Sequence, residues 1–214
     1  MNRITLHSVL PDIFQSKEEL SSEIWLQETT FQKGEYYLLE AASGTGKSSL
    51  CSFLYGYRKD YSGDICFDEQ NIHHFSGKEW NLLRRNSLSL LFQDLRLFPE
   101  LTAQENVWLK NNLTGFKSRE WIESAFQRLG ISDKQTEPAG KLSFGQQQRV
   151  AVIRALCQPL DFILLDEPVS HLDNDNSETM VQLLLEEARR QGAGILVTSI
   201  GKHPHIPYHK TLRL

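Results

Sequence analysis

Several things are scarce in these 214 residues, and each scarcity closes off a class. The cysteines number three, Cys51, Cys66 and Cys157. Their wide spacing matches neither a zinc site nor a disulfide framework, and their apolar neighbours mark them as buried reduced thiols. No apolar run approaches the roughly 20 residues that a membrane span requires. Met1 to Leu10 lack the basic start, apolar stretch and small-residue cleavage site of a secretion signal, which predicts a cytoplasmic protein. Positive charge is also short, with 23 Lys+Arg against 27 Asp+Glu and a net charge of -4. No broad basic face follows from that balance, so nucleic acid is not the expected partner. Repeats and low-complexity segments are absent too. What is there, 40% hydrophobic and 23% charged residues, suffices to bury a core within a single domain spanning 1–214.

Short apolar runs bounded by glycine or acidic residues alternate with helical stretches, the pattern of an α/β fold with a largely parallel sheet. The clearest strands are Tyr36 to Glu40, Phe162 to Asp166 and Gly194 to Thr198. All three stop at polar residues, where an open α/β sheet places its ligand site. The first sixty-odd residues read as strands and turns around one helix. Thr102 to Leu129 reads as helical, with Trp108, Phe116, Trp121, Ile122, Phe126 and Leu129 as packing residues. A helical insertion over about 95–157 is expected.

The strand Tyr36 to Glu40 runs into Ala41-Ala-Ser-Gly-Thr-Gly-Lys-Ser48 and then into a helix, the order of a phosphate-binding loop. Ser43, Gly44, Thr45 and Gly46 turn backbone N–H groups toward phosphate oxygens, and the helix N-terminus adds partial positive charge. Lys47 reaches the β and γ phosphates, Ser48 offers a hydroxyl to Mg2+, and Ser49 is within reach of the α phosphate. Ala41 replaces the first glycine of the strict motif, which matters only if the backbone there needs positive φ.

Phe162-Ile-Leu-Leu-Asp-Glu-Pro168 is a buried strand ending in adjacent carboxylates, whose side chains point oppositely. Asp166 suits the magnesium, and Glu167 is placed to orient or deprotonate a water that attacks the γ phosphate. Between loop and acids lies Lys141-Leu-Ser-Phe-Gly-Gln-Gln-Gln-Arg-Val150, another helix mouth. This set resembles the ATP-binding-cassette (ABC) ATPases, whose Leu-Ser-Gly-Gly-Gln signature stands just upstream of such a strand. The local wording is similar to the lipoprotein-release, macrolide-export and cell-division group of that family.

The resemblance implies a P-loop NTPase core with a mixed, largely parallel sheet, an N-terminal antiparallel β subdomain and a helical signature subdomain. It implies ATP and Mg2+ as ligands and ATP hydrolysis as the reaction. Gln93, in Leu90-Leu-Phe-Gln93, resembles the residue that contacts magnesium and couples to the membrane partner, and Asp173 resembles the residue through which two subunits sense each other. Phe14 stands where the family places an aromatic against adenine. Ser143, Gly145 and Gln146 keep the signature, with Phe144 in place of its first glycine. Ser199 stands where the family carries a histidine, which implies slow hydrolysis, since serine is shorter and carries no positive charge. His203 and His205 lie nearby.

The implied partners are a second ABC subunit, most simply a homodimer facing head to tail, and an integral-membrane permease-type subunit received by Gln93 to Val107. The implied location is the inner face of the cell membrane. A nucleotide-gated module with little turnover is the alternative that Phe144 and Ser199 suggest.

Overall fold

The computed structural model describes residues 1–16, 20–168, 174–201 and 203–214, the side chains of 174–177 excepted. Asp173 lies outside the described residues. The chain opens with strands β1 (Arg3–Pro11) and β2 (Glu28–Gln32), then β3 (Tyr36–Glu40) and helix α1 (Lys47–Leu54), and turns back through β4 (Tyr61–Phe67) and β5 (Gln70–Asn71). Helix α2 (Gly77–Asn86) and β6 (Leu88–Leu91) lead into α3 (Ala103–Asn111), α4 (Arg119–Arg128) and α5 (Phe144–Ala155). Strand β7 (Phe162–Asp166), α6 (Asn174–Gln191), β8 (Gly194–Ser199) and β9 (Lys210–Arg213) complete the order.

Two sheets result. The N-terminal sheet runs β2-β1-β4-β5 with antiparallel neighbours, and the central sheet runs β6-β7-β8-β3-β9 with parallel pairing throughout. Every residue of β6, β7 and β8 is buried, as expected of parallel strands covered on both faces. The two-residue alternation sorts their side chains: Ile163, Leu165, Ile195 and Val197 join the core under α5 and α6, while Phe162, Leu164 and Leu196 join the core beneath α1 and the antiparallel sheet. Each fully buried Leu or Ile contributes about 1.5–3 kcal/mol.

The register decides where chemistry can gather. Glu40 pairs with Ser199 across β3 and β8, and Asp166 pairs with Thr198 across β7 and β8. Three strands therefore end together, and the loops that leave them share one rim.

The helical segment is tied down at two points. The Arg154 guanidinium on α5 donates to the carbonyls of Leu95 at 2.5 Å and Arg96 at 2.7 Å, clamping a turn whose two residues both have left-handed φ, 57° and 49°. Deeper in, Lys117 pairs with Glu187 of α6 at 2.5 Å, and the Trp121 indole N–H donates to the same carboxylate at 3.0 Å. Helices α2, α3 and α5 start with capping boxes, Ser76 with Glu79, Thr102 with Glu105, and Ser143 with Gln146.

Candidate functional site

The loop between β3 and α1 is held in shape from several sides. Gly46, at the N-cap of α1, has φ 97°, and a Cβ there would stand 3.0 Å from the rings of both Phe14 and Trp25. Glycine is needed for the backbone and for the space. The Trp25 indole N–H donates to the Thr45 carbonyl at 2.9 Å, the Thr45 hydroxyl to the Ala42 carbonyl at 2.9 Å, and the Lys47 ammonium to the same carbonyl at 3.1 Å. Ala41 is absent from the residues with positive φ, so its methyl costs the loop nothing, and its N–H donates to the Ser199 carbonyl at 3.1 Å.

Opposite the loop, Asp166 is buried at 6% exposure and its Oδ1 accepts the Thr198 hydroxyl at 2.6 Å. Glu167 leaves the strand with φ 51°, held there by its N–H donating to the Thr198 carbonyl at 3.1 Å. A non-glycine residue in this region costs of order 1–3 kcal/mol and persists only where its surroundings enforce it. The result turns the Glu167 carboxylate toward the loop, 3.7 Å from the Lys47 ammonium, where the Gln93 amide N–H also donates at 3.3 Å.

A cavity of about 370 Å³ occupies the space between them. Ser43, Gly44, Gly46, Lys47, Ser48 and Ser49 line one side, Gln93 and Glu167 the other, and Ile13, Phe14 and Ile200 add apolar walls. Ser48 and Gln93 also line an adjoining cavity of about 300 Å³ that contains Asp166. These are three hard oxygen donors of the types magnesium takes alongside phosphate.

The remaining expected residues divide. Phe14 lines the cavity but is 5% exposed, beneath Gly46, while its neighbour Ile13 is 70% exposed. The Ser49 hydroxyl accepts the Arg58 guanidinium at 3.0 Å. Ser199 is 1% exposed and does not line the cavity, whereas Ile200 does. His203 and His205 do not line it either. Ser143, Gly145 and Gln146 also stand apart from it: Ser143 caps α5 by accepting the Gln146 N–H at 3.3 Å, and the Gln146 side-chain oxygen accepts the Ser143 N–H at 3.0 Å. Thr198, Trp25, Ile13 and Ile200 were not singled out in the sequence. For Thr198 a signal existed, a polar residue ending an otherwise apolar strand.

Burial, followed by the nearby Asp166 charge, raises the Cys51 thiol well above its ordinary range, which suits a packing group and not a nucleophile. Cys157 is likewise buried and pushed up to about 12, and Cys66 is half-buried.

In the segment after Gln93, Leu95 is buried at 2% exposure and Leu97 packs on the core, while Phe98 is 54% exposed. Phe98 lines an open groove of about 350 Å³ with Tyr57, Phe92, Leu109 and Leu113. The cations in its lining are Arg96, Lys110 and Arg154, and among the described residues no carboxylate lines it. Burial and then the Arg154 charge lower Lys110 to about 8.

A parallel sheet, a strand-loop-helix turn with Lys47 at its tip and an acidic pair at the end of a neighbouring strand define a P-loop nucleoside triphosphatase. The family model for the ABC transporter matches residues 27–170, and the chain belongs to that family. It is an ATP-binding and ATP-hydrolysing subunit that pairs with a second cassette and drives a membrane partner.

Among its relatives, an uncharacterised ABC transporter ATP-binding protein of Mycobacterium tuberculosis is 33% identical over 172 residues, covering 79% of this chain and 69% of that one. The lipoprotein-releasing system ATP-binding protein LolD of Saccharophagus degradans is 32% identical over 171 residues, 78% of this chain and 75% of that one. The dimeric bacterial ABC transporter cassette MJ0796 superposes with a TM-score of 0.78 at 28% identity, over 92% of this chain and 87% of that one. A dimer of the same cassette in a post-hydrolysis state bound to ADP and Pi gives a TM-score of 0.75.

Proposed function

We propose that two copies of the chain close around two ATP molecules and that each copy's Glu167 prepares water for attack on the γ phosphate. The observation that carries this reading is the meeting of Lys47, Gln93 and Glu167 at one end of the phosphate-loop cavity. The inward N–H groups of the loop bind the phosphates, and Lys47 exchanges its carboxylate neighbour for phosphate oxygens. Glu167, once released, orients or deprotonates the attacking water, and Gln93 reports the change to the segment that follows it.

Ser48, Gln93 and Asp166 would hold magnesium, and their hydroxyl, amide and carboxylate oxygens fit it. When bound, the ion neutralises charge on the phosphate oxygens. Thr198 contributes by fixing the Asp166 carboxylate through one oxygen, which leaves the other for the metal side.

Ser143 and Gly145 serve the γ phosphate of the other copy, since they stand outside this chain's own cavity. Turnover is slow, because among the described residues no histidine lines the cavity and Ile200 takes the wall position beside buried Ser199. At the adenine end Ile13 and Phe14 give an apolar wall.

The membrane permease docks on the Gln93–Val107 segment and the groove beside it, which places the protein on the inner face of the membrane. Among the described residues no helix is long and apolar enough to cross a membrane. The groove's aromatic and aliphatic lining with three cations, of which Arg96 pairs with Asp94 at 3.3 Å, fits an amphipathic helix that offers an apolar face and a carboxylate.

The test is steady-state phosphate release across protein concentration, beside Glu167→Gln. Turnover that rises faster than linearly with concentration and is lost in the variant is expected. Release proportional to concentration, or equal in the two proteins, would overturn the two-copy mechanism.

A further inference from the structure

Ser49 sits in the first turn of α1, two residues beyond Lys47, and lines the phosphate-loop cavity. Its oxygen accepts the Arg58 guanidinium at 3.0 Å, from the turn that joins α1 to β4. Among the described residues that is the only hydrogen bond of the Ser49 side chain, so the hydroxyl proton is still available to donate. Serine hydroxyls inside helices often turn back to a carbonyl one turn earlier, and this one does not. Arg58 is itself held in place. Asp60 accepts its Nε–H at 2.9 Å with one carboxylate oxygen and a terminal N–H with the other, a bidentate pair that fixes the plane of the guanidinium. The guanidinium also lies over the Phe53 ring, 5.5 Å from its centroid. The Asp60 carbonyl accepts the Asp12 N–H at 3.0 Å, next to Ile13 and Phe14 of the cavity wall. One turn therefore braces both the mouth of α1 and the apolar wall.

We infer that Arg58 is a positioning residue for the nucleotide: it holds the Ser49 oxygen as an acceptor, so that the Ser49 hydroxyl donates into the cavity to an α-phosphate oxygen. The inference rests on the phosphate-loop reading above and needs no second copy of the chain. An oxygen that accepts from a cationic donor has its own O–H polarised and becomes the better donor. Arg58 is not among the described residues that line the cavity, and Asp60 balances its charge, so it acts through Ser49 and not by touching phosphate. The α phosphate is not the group that reacts. The effect of Arg58 therefore falls on nucleotide affinity, equally for a diphosphate and a triphosphate, since both carry that group.

The experiment is a competition titration against a fluorescent nucleotide, with ADP and with a non-hydrolysable ATP analogue. Arg58→Met keeps the stem over Phe53 without the charge, and at 43% side-chain exposure the substitution is expected to leave the fold intact. It is expected to weaken both ligands alike, by about threefold to tenfold. Arg58→Lys, which keeps a cationic donor, is expected to recover most of that affinity. In a Ser49→Ala background Arg58→Met is expected to add no further loss, because the hydroxyl that it serves is gone. The same loss with and without Ser49 would mean a through-space effect of charge and would overturn the inference. A change below about twofold in Arg58→Met, or a penalty confined to the triphosphate, would overturn it too. Lys47→Ala titrated alongside separates the two levels: unchanged affinity there overturns the phosphate-loop reading, whereas affinity lost in Lys47→Ala and kept in Arg58→Met overturns the assignment of Arg58 alone.

Discussion

The Lys47 ammonium lies 3.7 Å from the Glu167 carboxylate, joining the first residue of α1 to the residue that follows β7. Both groups are largely shielded, with side-chain exposures of 5% and 13%. A bound triphosphate displaces this attraction because it offers several anionic oxygens to the same ammonium. The pairing makes the two residues opposite in effect. Lys47→Ala removes the only ammonium among the described residues that line the cavity and is expected to abolish nucleotide binding. Glu167→Gln removes a negative charge beside the phosphates and is expected to bind ATP as tightly as the wild type or more tightly, with phosphate release lost. A fluorescent-nucleotide titration of both variants checks this; unchanged affinity in Lys47→Ala would remove the phosphate-loop argument.

Ser199→His places an imidazole at a position that is 1% exposed. Overpacking of this kind costs about 1–3 kcal/mol, so the variant is expected to melt earlier. If the ring reaches the cavity wall beside Ile200, phosphate release per bound ATP rises. Equal or lower release in a variant that still binds nucleotide would show that the missing histidine is not what limits turnover.

Glu187→Ala tests the tie between the helical segment and α6. Lys117 and Glu187 are exposed by only 3% and 6%, and burial already holds the lysine below its ordinary pKa. Removal of the carboxylate strands a buried ammonium and is expected to cost about 3–5 kcal/mol in urea unfolding. Pairing it with Lys117→Met should recover much of the loss. A change under about 1 kcal/mol would mean that the pair is dispensable.

Lys110 supplies a pH signature. Its ordinary pKa of 10.5 falls to about 8 in the fold, chiefly through burial and secondarily through Arg154. Between those values the unfolded chain holds a proton that the folded one has released, so this group makes stability rise as pH climbs from 8 toward 10.5. Lys110→Met is therefore expected to be the more stable protein near neutral pH, with the advantage shrinking through that window. Urea midpoints at several pH values for both proteins check the trend, and a gap that stays constant would show that Lys110 does not titrate there.

Much of this was legible in the chain itself. Tyr36 to Glu40 followed by Gly44, Gly46 and Lys47 specifies a strand, a turn and a helix mouth through neighbours a few residues apart. The acids after Phe162 to Leu165 and the cap at Ser143 are local in the same way. Such features depend on the alternation of side chains and on backbone geometry, which are properties of short segments. Tertiary structure alone decided the rest. Insertion of β8 between β3 and β7 brought Thr198 to Asp166, and the connection between β1 and β2 brought Phe14 and Trp25 beneath Gly46. Only in the fold does Ile200 line the cavity while Ser199 is buried, and only there do Arg96, Lys110 and Arg154 share a groove. Periodicity determines which face of a strand is buried, but which strands become neighbours follows from packing two cores at once, and no short segment carries that information.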